Sequence, residues 1–511
     1  MKPVLFIFCI NLLFSIKQCA RILGVFPAPG YSQFILAEVL MKEIANRGHE
    51  VTVISPYKPH NAPPNYKTIE TSDVIENSDG INLYELDNES LFKNILTTYQ
   101  YGNIITEVTL KDKGVQQLLH SDENFDLVIV EQFFNDAMKG FATQFNAPLV
   151  LFSSMGLTEW NKGYMGNPTL PSINAVSYTS YTNQMNFFQR IRNLVGTIFD
   201  YCYRKWVFYP IQKEYLEKYF PASINFDKII SNASLMLLNS HFTTSENVLL
   251  PYNMIEIGGF HITQNPLNKD IQKMLDEATD GAILFSLGSN LKSSDLTPIT
   301  LNIILTVLGR LKQKVLWKFE KDLPERPKNV FISKWLKQAD ILAHPNIQLF
   351  ITHGGMLSTT EAIFNGVPML GIPVFADQKM NTARAKNAGI ANTISLKDLT
   401  EEKFFSLINE TINDSKYSEN ARRMSTLMRD RVVRPLDLAL YWIEYAIRHG
   451  GVRFETPVLK MYWYQVYMVD ILCFLICTLF IMYMLVKLLC TFIQKEKCKT
   501  NSKISHTKKY K

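Results

Sequence analysis

The 511-residue chain is 47% hydrophobic and 20% charged, with a formal net charge of +6. Such an apolar share fills large cores and excludes disorder for most of the chain, and the length suits two or three domains at roughly 100–200 residues each. The positive charge is a tail: residues 487–511 hold eight lysines against one acid, Glu496, leaving −1 before them, which excludes a broad nucleic-acid-binding face.

At the N-terminus, Lys2 precedes an apolar run over residues 4–16, broken by Asn11 and Ser15. It is too short to span a bilayer and reads as a secretory signal over residues 1–20, in preference to an uncleaved strand. Residues 21–26 form an apolar strand that Pro27 to Gly30 break. A helix follows with Leu36, Val39, Leu40 and Ile44 on one face and Gly48 as its C′ residue, then a strand over 50–54. Strand, helix and strand within 35 residues predict a βαβ unit and a parallel sheet. Residues 125–130 and 148–152 read as further buried strands of an N-terminal α/β domain over 21–263. The aromatic-rich stretch 178–220 has long helical periods and is expected to cap that domain.

After a Pro- and Asn-containing stretch over 264–269, short apolar runs at 282–285, 315–319, 330–332, 349–352 and 369–370 alternate with helical patterns such as 298–310 and 378–387. This alternation predicts a second doubly wound domain over 270–450. Two such sheets leave a ligand cleft outside the C-terminal ends of their strands.

Residues 467–486 are apolar apart from Asp470, Thr478 and Tyr483, long enough for about 30 Å of hydrocarbon. Tyr462, Trp463, Tyr464 and Tyr467 supply an aromatic belt, and the lysines of 487–511 place that tail in the cytosol. Lys508 and Lys509, fourth and third from the end, resemble a signal for return to the endoplasmic reticulum, so the expected topology is single-pass, type I, with a lumenal body. Of seven cysteines only Cys202 falls within that body, which leaves no intramolecular disulfide and no multi-cysteine metal site. Sequons at Asn88, Asn232, Asn409 and Asn413 are compatible with a lumenal location.

The most specific stretch runs from Phe350 through Ile351, Thr352, His353, Gly354, Gly355, Met356, Leu357, Ser358, Thr359 and Thr360 to Glu361. It continues to Pro368, Pro373, Asp377 and Gln378. Physically it is a strand, a glycine turn and a helix N-terminus, which offers backbone N–H groups and a positive dipole end to phosphate. The whole span resembles the donor-site signature of the UDP-glycosyltransferases, and the likeness extends over nearly the entire chain. That resemblance implies two facing Rossmann-like doubly wound domains of the GT-B type plus a C-terminal transmembrane helix.

It further implies that Trp335 stacks on the uracil, with Gln338 and Lys318 near the nucleoside, and that Glu361 accepts from the ribose hydroxyls. His353 and Ser358 after the Gly354-Gly355 turn, with Ser289, hold the diphosphate, and Asp377 and Gln378 bind the sugar. Lys337 stands where relatives carry a proline between the leucine and glutamine of that loop. No Asp-x-Asp pair occurs, which fits a UDP-sugar bound as co-substrate with no metal or other cofactor. Leu357-Ser358 resembles arthropod members, which tilts the donor toward UDP-glucose over UDP-glucuronate.

The acceptor side departs from the pattern. Relatives carry a histidine after the first strand and a carboxylate, often Asp, after the strand ending near Val130; here the positions hold Gln33 and Glu131. Glutamine cannot take up a proton at physiological pH, so Gln33 is left to orient the acceptor while Glu131 serves as base, or another histidine serves, or transfer is lost while donor binding remains. The expected function is inverting transfer of a hexose from a UDP-sugar to a small lipophilic acceptor by a protein also in contact with membrane lipid; the alternative is a catalytically impaired UDP-sugar-binding partner protein. Oligomeric state is not encoded in any visible pattern.

Overall fold

The computed structural model of the protein describes residues 19–78, 83–245, 249–454 and 456–507. The expected signal lies outside these residues except at Cys19 and Ala20, and Lys508 and Lys509 lie outside them too.

The first sheet begins with β1 (Arg21–Val25), followed by α1 (Tyr31–Asn46) and β2 (Glu50–Ser55). Helix α1 buries Phe34, Leu36, Leu40 and Ile44, and Gly48 turns the chain at φ 97°, a left-handed conformation that glycine adopts without a Cβ clash. Edge strand β3 (Tyr66–Glu70) and the long α2 (Leu91–Lys111) come next, then β4 (Leu127–Glu131) and β5 (Leu149–Ser153). A helical cap follows, α3 (Phe187–Tyr203) and α4 (Tyr209–Tyr219) joined by one wide turn, before β6 (Leu235–Leu238) and β7 (Met254–Glu256). Tyr99 of α2 donates to Asp200 of α3 at 2.8 Å, while Phe187, Phe188 and Trp206 are exposed on the outer side of the cap.

The second sheet starts at β8 (Ala282–Ser286), with α5 (Pro298–Gly309), β9 (Lys314–Lys318), β10 (Val330–Ser333) and β11 (Ile347–Thr352). It continues through α6 (Met356–Asn365), β12 (Met369–Gly371), α7 (Gln378–Asn387) and β13 (Ala391–Thr393). Strand order is β3-β2-β1-β4-β5-β6-β7 in one sheet and β10-β9-β8-β11-β12-β13 in the other. All pairs are parallel. The order reverses between β1 and β4 and between β8 and β11, which opens a crevice at the C-terminal ends of those strands in each sheet.

One assignment from sequence is corrected. The stretch 270–450 was expected to form the second domain throughout, yet α8 (Pro435–Arg448) buries Ala439, Leu440, Ile443 and Ala446 in the same core as Ile22, Leu36 and Phe152 of the first sheet. Arg47 beside α1 pairs with Asp437 at 3.0 Å and Glu444 at 3.3 Å, fixing that return. An amphipathic helix packs on whichever apolar face is open, and sequence position does not say which.

Residues from Thr456 onward form a separate unit. In it, α9 (Val469–Thr507) is one continuous helix, of which Val469–Lys499 is apolar enough to cross a membrane by length and composition. The expected span over 467–486 lies within this helix from Val469 onward. Tyr467 caps a short helix (Trp463–Val466), and the apolar run continues past Lys487 through Leu488, Leu489, Phe492 and Ile493 with no Gly or Pro to end it.

Candidate active site

Strand ends of both sheets build the site. Beyond β8 the chain turns through Gly288 and Ser289, and beyond β11 it passes His353, Gly354 and Gly355 into α6. The His353 ring is packed between two glycines: a Cβ at Gly288 or at Gly355 would each lie 2.5 Å from ring atoms. Burial, then the positive charge of Lys318, lowers His353 to about 4. The imidazole is thus neutral at pH 7, and its Nδ1 has no partner among the described residues. Gly354 sits at φ 80°, where a Cβ would strike Thr382 at 2.2 Å. Helix α6 therefore points an N-terminus with no side-chain cap at the cleft.

At the end expected to take the nucleoside, Gln338 Nε2 donates to Ser358 Oγ at 3.0 Å and to Glu361 Oε2 at 2.6 Å, so one amide joins two of the expected donor-site residues. Trp335 is 49% exposed, leaving an indole face for a base, and its ring meets Tyr31 of the first domain edge-on at 5.0 Å. Lys337 holds φ −74°, within the range a proline would impose. Lys318 Nζ bonds Glu320 at 2.7 Å and lies 5.9 Å from the Trp335 ring.

At the far end of the motif, burial pushes Asp377 up to about 6, against the hydrogen bond it accepts from Asn381 at 2.7 Å. Gln378 Oε1 accepts from the Val374 and Phe375 N–H groups at 2.9 and 3.1 Å. Gln378 therefore shapes the turn before α7 and Asp377 braces its first turn, duties that the motif alone does not reveal.

From the first domain, Gln33 in the opening turn of α1 donates Nε2 to Glu131 Oε1 at 3.1 Å and to Ser154 Oγ at 3.2 Å. Glu131 ends β4 and is buried. Burial pushes its carboxyl up to about 7, against hydrogen bonds from Ser154, Gln33 and the Ala28 backbone. Every residue singled out from sequence lines one cleft of about 480 Å³, except Gly354, which shapes the turn, and Glu131, which stands behind Gln33. A second cavity of about 580 Å³ adjoins it, lined by Tyr31, Tyr57, Tyr84, Tyr101, Phe133 and Tyr178. Gln33 borders both. The sequence reading missed Ser154 and those tyrosines because no local motif marks them.

A model of the family described as UDP-glucoronosyl and UDP-glucosyl transferase matches residues 22–504. The chain belongs to this family. UDP-glucosyltransferase 2 of Dactylopius coccus is 36% identical over 94% of each chain. UDP-glucuronosyltransferase 2B15 of Homo sapiens is 28% identical over 96% of each. Among solved structures, Phytolacca americana UGT2 complexed with UDP-2fluoro-glucose and pterostilbene is similar with a TM-score of 0.56 at 15% identity, covering 84% of this chain and all of that one. That likeness confirms the fold, two parallel sheets of Rossmann-like type as in GT-B glycosyltransferases.

In this UDP-glycosyltransferase, the exposed indole of Trp335 offers a measurable test. Trp335→Ala should weaken UDP binding by about 1–3 kcal/mol, the worth of stacking on an aromatic ring, as read by calorimetric titration with UDP. Equal affinity would remove Trp335 from the nucleotide site.

Proposed function

We propose that the protein is a membrane-anchored, metal-independent UDP-glycosyltransferase that transfers glucose in preference to glucuronic acid to a small lipophilic acceptor, with inversion. The observation that carries this reading is Gln33, at the border between the cleft that gathers the donor motif and a cavity walled in part by aromatic rings. The donor's uracil would lie on Trp335 and its diphosphate at the α6 N-terminus beside His353, Ser358 and Ser289. Asp377 and Gln378 would meet the sugar. An acceptor hydroxyl held among the tyrosines would reach the anomeric carbon near Gln33.

Attack from the side opposite the leaving UDP forms the new C–O bond as the C–O bond to the phosphate breaks, which inverts the anomeric centre. The acceptor proton would pass through one water, or past a shifted Gln33 amide, to Glu131, whose carboxyl burial holds near neutral range, while Gln33 orients the hydroxyl. The diphosphate charge is met by N–H groups and the helix dipole. Helix α9 supplies the anchor, with the body in the lumen of the endoplasmic reticulum.

Glutamine in place of histidine favours a second reading, a donor-binding partner protein without turnover. Microsomes carrying the protein, incubated with UDP-glucose and a panel of phenols, decide between them. A β-glucoside supports transfer; UDP binding with no product from any acceptor supports the partner role.

A further inference from the structure

Past β7, the segment over 257–262 starts tied to the end of β6: the Ile257 N–H donates to the Leu238 carbonyl and the Gly258 N–H to that of Ser240. A Cβ at Gly258 would lie 2.6 Å from the Ser240 backbone, and Arg431 Nη2 donates to the Gly258 carbonyl at 2.8 Å, so the segment is held closely. It carries His261 from the first domain to the nucleoside end of the cleft. The imidazole is 2% exposed, with Nε2 3.4 Å from Glu361 Oε1. That approach lacks hydrogen-bond geometry, and neither ring nitrogen has a partner among the described residues. Buried polar nitrogens are nearly always satisfied because desolvation without a partner is costly, and the Glu361 carboxylate stands close enough to satisfy this one. The other oxygen of the same carboxylate already accepts from Gln338.

We propose that His261 is a positioning residue for the ribose: with donor in the cleft, its Nε2–H donates to Glu361 Oε1 and fixes the carboxylate toward the ribose hydroxyls. This rests on the donor-site reading of Glu361. A carboxylate has about four lone-pair sites on two oxygens. Gln338 occupies a site on Oε2 and His261 one on Oε1, which leaves one on each oxygen for the 2′- and 3′-hydroxyls. Because His261 follows the first sheet, beside Ile257 and Phe260 of its core, and Glu361 lies in α6, ribose recognition then also reports that the two domains are correctly placed.

The test uses full-length protein in membranes, with UDP and 2′-deoxy-UDP competing against UDP-glucose. His261→Ala should raise KM for UDP-glucose about tenfold with little change in kcat, the fold-change of one hydrogen bond to a charged group. It should lower the preference for UDP over 2′-deoxy-UDP by a similar factor. His261→Gln, whose amide N–H reaches the same place, should restore most of both. The rise in melting temperature on adding UDP or 2′-deoxy-UDP gives the same comparison without turnover and shows that each variant is folded. An unchanged preference in His261→Ala, or equal loss in both variants, overturns the proposal. If Glu361→Ala keeps the full preference for UDP, the ribose reading of Glu361 falls, and His261 with it; if Glu361→Ala loses the preference while His261→Ala keeps it, only His261 falls.

Discussion

Glu131→Gln should lower kcat/KM by roughly 10²–10⁴-fold, the usual worth of a general base, while UDP affinity stays unchanged. The residue is buried behind Gln33, which separates it from the nucleotide end of the cleft. A carboxyl pushed up to about 7 is half ionised near neutrality and takes protons only in its ionised form. Wild-type kcat/KM should therefore rise with pH through about 7 and level off above it, and the variant should stay low and flat. A wild-type profile with no inflection there would remove Glu131 from proton transfer.

The same substitution has a stability signature of opposite sign. Burial raises the folded-state pKa from 4.5 to about 7, so ionised Glu131 is tolerated less well in the folded chain than in the unfolded one. The neutral carboxyl's contribution is fully present below the unfolded value and is lost as pH rises through the folded one. At pH above 7 the loss amounts to about 3 kcal/mol. Glu131→Gln should thus melt higher than the wild type at alkaline pH, with the gap closing on acidification, as followed by thermal unfolding across pH. A variant less stable at every pH would mean that the carboxylate is needed for folding itself.

The second large effect is a gain. Gln33→His places an imidazole where an amide now donates to Glu131 at 3.1 Å, so the new ring has a carboxylate beside it to stabilise the imidazolium. Turnover on aliphatic alcohols, whose protons leave least readily, should rise by up to about 10²-fold, and on acidic phenols far less. Initial rates on paired alcohol and phenol acceptors measure this difference. Equal rates for wild type and variant on both would show that residue 33 does not face the acceptor oxygen. Ser154, which shares the Gln33 amide, should remain able to bond the new ring.

How much was legible in advance depended on sequence distance. The donor half could be read because its parts follow one another: β11, the His353-Gly354-Gly355 turn, α6 with Ser358 and Glu361, then Asp377 and Gln378 before α7. A strand end, a glycine turn and a helix start fix their neighbours by local geometry, so position in the chain already gives position in the site. Apolar runs marked the long strands, but three-residue strands such as β7 and β13 are too short to show a period.

Sequence by itself therefore determined the family, the two α/β halves and the apolar C-terminal helix, and it named candidate donor residues that the fold gathers along one cleft. By resemblance, it also marked Gln33 at a position where a titratable group was expected. Tertiary structure alone decided what that glutamine touches, since Glu131 and Ser154 lie 98 and 121 residues away and come together only because β1, β4 and β5 are neighbours in the sheet. It alone returned α8 to the first core and brought His261 to Glu361. Burial, which no local pattern measures, then moved Glu131 up to about 7 and His353 down to about 4. The physical reason is the same in each case: charge and proton affinity respond to what surrounds a group in space, and that is set by strand order, not by neighbours in the chain.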